Sequence, residues 1–203
     1  MKSVALADHM TTFTEPIAHH LGWAVHDADV TAARYTQMLG AQFKLQPIYE
    51  FYDLYNRPAS IKVYYGAVAG MAFEIIEPLT GTTPHAEFLR EHGEGIQHIG
   101  FWVPDVKKAT ADLVAKGARV EWMYTRDSDD IEGAQAAAQL TVASSVEEIV
   151  DATSNHGLTY LDIKEGGTQI EFIGPYVHNI IFSEEGPLHG MEELIQTFPP
   201  DAT

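Results

Sequence analysis

Two short segments of this 203-residue chain repeat one pattern that could do chemistry. From His20 it reads His-Leu-Gly-Trp-Ala-Val, and from His98 it reads His-Ile-Gly-Phe-Trp-Val. Each copy keeps a histidine, a glycine two residues on and apolar neighbours. Downstream, Glu74 lies in Phe-Glu-Ile-Ile-Glu-Pro and Glu171 in Ile-Glu-Phe-Ile-Gly-Pro, with a proline four residues after each glutamate. A carboxylate inside an apolar, strand-like segment is out of place unless something positive pairs with it. Two imidazoles and two carboxylates make a donor set for one divalent first-row ion, formally neutral once bound, with room left for substrate oxygens. The expected ligands are therefore His20, Glu74, His98 and Glu171. Nickel, cobalt, zinc, manganese and iron all suit such donors, so the identity of the ion stays open. There is no cysteine, which excludes thiolate ligands, disulfides and a cysteine nucleophile. Strand alternation should turn His19 away from His20. His26, His85, His92, His156, His178 and His189 have no counterpart in the repeat and are expected at the surface or in packing.

The elements that must position these four residues also repeat. After the strand that opens at His20, residues 29–40 read as a helix that Asp27 or Asp29 can cap and Gly40 can stop. Strands are expected at 42–49, 60–65 and 71–76, with turn signals at Asn56-Arg57-Pro58, Gly66 and Gly70. The second copy follows the same order. Asp105 lies seven residues past His98, as Asp27 does past His20, and a helix runs to Gly117. Strands are expected at 119–124, 158–163 and 168–173, with a hairpin turn at Glu165-Gly166-Gly167. The fold class is thus α+β: two tandem βαβββ modules forming a curved mixed sheet around a metal site. The first module spans 17–83, a linker helix 84–95, the second module 96–175, and a C-terminal tail 176–203. The tail is expected to pack loosely or against a partner. Glu74 follows His20 by 54 positions but Glu171 follows His98 by 73, so the second module carries about nineteen extra residues. They fall near 127–155 and are expected to form a lid or a subunit contact.

Composition narrows the function further. The chain holds 29 acidic and 12 basic residues, a formal charge of −17, which repels both nucleic acid and an anionic membrane surface. The same charge weighs against polyanionic ligands such as coenzyme A, unless Lys and Arg gather at the pocket. No apolar run is long enough for a membrane helix and the first residues do not form a secretory signal, so a cytoplasmic protein is expected.

These residues resemble the vicinal oxygen chelate superfamily, which includes glyoxalase I, methylmalonyl-CoA epimerase, extradiol dioxygenases and bleomycin-resistance proteins. The resemblance covers residues 17–175. It is closest to the epimerase and glyoxalase I branch, through Glu77-Pro78-Leu79, Gly93-Glu94-Gly95-Ile96-Gln97-His98 and Lys116-Gly117-Ala118-Arg119-Val120. It implies a βαβββ pair, metal ligation by His20, Glu74, His98 and Glu171, and no organic cofactor. Glu74 stands where extradiol dioxygenases usually carry histidine, which argues against that branch. Epimerase-like proteins are expected to carry a further glutamate base after the first helix. Glu50 is the nearest match, but the motif around it differs, and Tyr49, Phe51, Tyr52 and Tyr55 there read as an aromatic wall or as hairpin packing.

The expected activity is that of a metal-dependent epimerase, isomerase or lyase. It would take a proton next to a metal-bound carbonyl, with Glu171 and Glu50 as candidate catalytic residues. The expected partner is a small molecule with a carbonyl or vicinal oxygens, one with an aromatic ring included, and the expected assembly is a homodimer. The competing class is a binding protein of the bleomycin-resistance kind, with an extradiol-type dioxygenase third.

Overall fold

A computed structural model describes residues 16–53, 57–124, 157–163, 167–191 and 195. The first module runs β1 (Ile17–Ala24), α1 (Ala28–Leu39), β2 (Gln42–Leu45), β3 (Tyr49–Tyr52), β4 (Pro58–Val68) and β5 (Met71–Thr80). After α2 (Pro84–His92) the second runs β6 (Gly95–Trp102), α3 (Val106–Val114), β7 (Arg119–Tyr124), β8 (Leu158–Asp162) and β9 (Gln169–Ile173), and α4 (Pro175–Phe182) follows. The strands form one mixed sheet in the order β2-β4-β5-β1-β6-β9-β8-β7, with β3 also paired to β4. The duplication is visible in this order. In each module the first strand lies parallel to the last, β1 to β5 and β6 to β9, and β1 meets β6 antiparallel at the centre. The sheet curls across its width: Phe51 on β3 and Trp122 on β7, from opposite ends of the strand order, bring their ring centroids within 5.5 Å.

The expected aspartate caps hold in both helices, while α3 ends at Val114, short of the expected Gly117. Asp27 accepts from Val30 N–H at 2.9 Å and Asp105 from Lys108 N–H at 2.8 Å, so the aspartates seven residues past each histidine cap equivalent helices. Gly40 ends α1 with φ of 66°, a left-handed conformation that glycine adopts at no steric cost. Asp29, the other candidate cap, instead binds Lys62 and Tyr64 on β4. Helices α1 and α3 pack on the sheet in equivalent places. Ala28 and Ala32 of α1 pack with Val25 and Ile75, and Val106 of α3 packs with Val103, Leu161 and Phe172.

Two expectations need correction. The strand expected at 42–49 is broken into β2 and β3 at Gln46-Pro47-Ile48, because proline has no N–H to give the ladder. The two halves pair with opposite ends of β4, Gln42 with Ala67 and Tyr49 with Ile61. The start of the tail, expected to pack loosely or against a partner, is helix α4, which lies on this chain's own sheet. Ile181, Leu188, Met191 and Ile195 are buried against Ala67 and Ala72, register partners on β4 and β5 whose small side chains leave room for it. Residues 125–156, which include the expected insertion, and Tyr55 lie outside the described residues. Among the described residues no helix is long and apolar enough to cross a membrane.

Candidate metal centre and its cavity

The register of the four central strands assembles the repeated residues in two rows. One row runs His98, Gly22, Glu74 across β6, β1 and β5, and the other runs His20, Gly100, Glu171 across β1, β6 and β9. Each row has a glycine at its centre for a steric reason. A Cβ on Gly22 would enter the ring of His98, and a Cβ on Gly100 the ring of His20. Each imidazole therefore reaches across the other module's glycine. Chain order pairs His20 with Glu74, but strand register aligns His20 with Glu171 and His98 with Glu74.

The four side chains converge. His20 Nε2 lies 2.9 Å from His98 Nε2, 3.1 Å from Glu171 Oε2 and 3.3 Å from Glu74 Oε2. His98 Nε2 lies 3.3 and 3.4 Å from the same carboxylate oxygens of Glu74 and Glu171. One donor atom from each residue lies within 4.8 Å of all the others, and all four residues are buried. Glu171 Oε2 is buried with no hydrogen-bond partner. Inward-facing imidazole nitrogens and an unsatisfied carboxylate oxygen around one point fit a divalent cation.

A second set of side chains orients the two histidines. His98 Nδ1 lies 2.7 Å from Gln97 Oε1, and Gln97 Nε2 donates to Gln169 Oε1 at 2.8 Å. His20 Nδ1 lies 3.0 Å from His19 Nδ1, and His19 Nε2 lies 3.0 Å from Nδ1 of His178 on α4. An imidazole that ligates through Nε2 carries its proton on Nδ1. His20 then donates to His19 Nδ1, which leaves His19 to donate from Nε2 to His178. His19 was expected to point away from His20. A register shift between Ala18 and His20 breaks the alternation and lets their two rings meet.

Electrostatics follow from this packing. Burial opposes a charge on His20, but the Glu171 and Glu74 carboxylates overcome it and raise its pKa to about 10. Burial alone would raise Glu74, yet His20 and His98 hold it well below the usual carboxylate range. Burial first, then His20 and His178, push His19 well below its ordinary value. Tyr65 stands opposite Glu74 and Tyr160 opposite Glu171 in register. Burial first, then the nearby carboxylates, raise both phenols well above their ordinary value, so each keeps its proton.

The cluster opens into a cavity of about 230 Å³. Phe51, Trp122 and Tyr160 form one wall, with ring centroids 5.5 Å apart for Phe51 and Trp122 and 5.8 Å for Trp122 and Tyr160. Val177, Ile180 and Ile181 of α4 form another. Glu50 also lines the cavity and is exposed. By strand alternation Tyr49 and Phe51 share the sheet face of Glu74, and Glu50 takes the other. His85 and His178, expected at the surface or in packing, are both buried here, and burial first, then His98, lowers the His85 pKa to about 3. Gln97 was detectable in the repeat, since it precedes His98 as His19 precedes His20. His85 and α4 carry no repeated signal.

With this geometry, the chain belongs to the glyoxalase/bleomycin resistance protein/dioxygenase superfamily, whose family model matches residues 19–138. Its fold is similar to that of methylmalonyl-CoA epimerase from Mycobacterium tuberculosis, with 22% identity over 82% of this chain and 93% of that one and a TM-score of 0.51. It is also similar to a mutant 4-hydroxymandelate synthase from Streptomyces coelicolor, with 17% identity over 83% of this chain and 50% of that one and a TM-score of 0.50. At these identities the likeness is one of fold. No curated protein sequence matches the chain.

Proposed function

We propose that this protein is a divalent-metal-dependent enzyme of the epimerase, isomerase or lyase kind that moves a proton at a carbon next to a carbonyl. The observation that carries this reading is the buried His20, Glu74, His98 and Glu171 cluster opening directly into an apolar cavity. A divalent ion held by these residues would supply Lewis-acid stabilisation of negative charge on the substrate oxygen. The rest falls to the chain. Tyr65 and Tyr160 keep protonated phenols opposite Glu74 and Glu171, the aromatic wall and α4 would exclude water, and Glu171, on loosening from the ion, would exchange a proton with substrate. Epimerisation needs a second proton-transferring group on the other face; Glu50 borders the cavity from an exposed position on β3, with strand alternation turning it to the sheet face opposite Glu74, and its substitution decides whether it reaches the substrate. A metal-free sequestering protein would have no use for two buried carboxylates aimed at two imidazoles, which favours the enzyme over the binding-protein reading.

The test joins metal analysis to solvent exchange. The purified protein should hold one divalent ion per chain and catalyse metal-dependent deuterium incorporation next to the carbonyl of hydroxyketones, keto acids or acyl thioesters. Glu50→Gln should keep the metal and lower exchange by roughly 10²–10⁴-fold, as loss of a general base does. A variant that exchanges at the wild-type rate would remove Glu50 from the mechanism. Absence of both bound metal and exchange would overturn the reading as a whole.

A further inference from the structure

One polar group beside the cluster has no partner. His85 occupies the second position of α2, behind Pro84 and the Thr83 cap that accepts from Ala86 N–H at 3.1 Å, so its backbone is firmly placed. Its ring is edge-on to Tyr160 and His98, with centroids 5.6 and 6.0 Å away. The residue is only 4% exposed, and neither ring nitrogen makes a hydrogen bond. His19, His20 and His98 all engage both of their ring nitrogens. A buried polar atom is costly to leave unsatisfied, and such groups in folded proteins usually meet a missing water or ligand. His85 also lines the cavity that opens onto the cluster.

The cavity constrains what that ligand can be. Among the described residues that line it there is no Lys or Arg, whereas Glu50, Glu74 and Glu171 are present. With a divalent ion offsetting Glu74 and Glu171, an anionic head group would still find no cationic side chain among these residues and would meet the charge of Glu50. The volume of about 230 Å³ exceeds the roughly 150 Å³ of an apolar cavity that accepts benzene, and leaves space for a short polar arm. We infer that His85 is a substrate-binding residue whose buried imidazole hydrogen-bonds an oxygen of a small, uncharged, ring-bearing carbonyl compound packed against Phe51 and Trp122. This rests on the cluster being the reacting centre, and it adds the substrate class and the residue that selects it.

The experiment measures binding of 2-hydroxyacetophenone, hydroxyacetone, benzoylformate and propionyl-CoA to the metal-loaded full chain by calorimetry, in wild type, His85→Phe and His85→Gln. The neutral aromatic ketone should bind at least tenfold more tightly than the other three. His85→Phe should lose roughly tenfold of that affinity, the usual worth of one hydrogen bond. His85→Gln, which keeps a donor and an acceptor, should recover part of it, and all three proteins should hold metal equally. Wild-type preference for hydroxyacetone, benzoylformate or propionyl-CoA, or equal binding by the phenylalanine variant, would overturn the inference. So would loss of metal on substitution, which would make His85 a ligand to the ion. Selective binding of the aromatic ketone without deuterium exchange would overturn the proton-transfer reading and leave His85 in place. Exchange with no effect of His85→Phe on binding would do the reverse.

Discussion

Behind His98 stands Gln97, whose amide reaches Gln169 on β9; behind His20 stands His19, whose imidazole reaches His178 on α4. The two pairs occupy equivalent places in the repeat and differ in physics. Gln97 has a distinct donor and acceptor, so its polarity is set by its own amide, and its partner lies in the same sheet. His19 can run its chain of hydrogen bonds in either direction, and the direction is set only when His20 commits one nitrogen to the ion. Its far end lies on a helix outside the duplicated unit. The ligands are alike in both modules while their supports differ, and the His19 support ties the first module to the C-terminal helix.

The largest expected effect tests the likeness. His20→Ala and His98→Ala should each lower metal affinity by more than a hundredfold, beyond the 10–100-fold range of supporting residues. Competition titration with a chelator would read this, and near-wild-type affinity in either variant would break the symmetry of the centre. Next comes the difference. His19→Ala and Gln97→Ala should each cost roughly 10–100-fold in metal affinity, but only the former should expose α4 to limited proteolysis. Equal protection of α4 in the two variants would uncouple the helix from the metal centre.

A pH experiment sharpens the same contrast. The His20 pKa is raised above its unfolded value of 6.5 to about 10 by Glu171 and Glu74, against burial. In metal-free protein its charge therefore adds stability that is fully present below 6.5 and is lost as pH rises through about 10. A metal must displace that proton. Binding at pH 7 should release about one proton from His20, and metal affinity should rise with pH until His20 is neutral. Calorimetry in buffers of different ionisation enthalpy measures the proton count, and a count near zero at pH 7 would show that the His20, Glu74 and Glu171 triad does not hold it. The smallest effect is the most symmetric. Asp27→Ala and Asp105→Ala should each destabilise by about 1 kcal/mol in denaturant unfolding, as equivalent caps do.

Much of the centre was legible because duplication repeats what chemistry requires. His20 and His98, both glycines and both capping aspartates recur at matching offsets, and Glu74 and Glu171 each stand four residues before a proline, so two copies corroborate one another. What occurs once had no such support. Pro47 splits a strand that hydrophobic pattern alone reads as continuous. The shift beside His19 defeats the two-residue alternation on which its expected direction rested. Helix α4 is held by tertiary contact with Ala67 and Ala72, two residues notable for the volume they lack. His85 sits on a linker helix whose local pattern shows only its Thr83 and Pro84 start, with no hint of the cavity beside it.

The exchange of rings and glycines between the two central strands has a consequence for the origin of the chain. Gly22 receives His98 and Gly100 receives His20, so residue i meets residue j while the copy of i meets the copy of j. That is the signature of an isologous contact between identical subunits. A single module carrying one histidine, one glycine and one glutamate would hold half a site and a ring with nowhere to lie. Two such modules meeting about a twofold axis would complete both at once. The centre of this sheet thus has, inside one polypeptide, the self-complementary geometry of a dimer face.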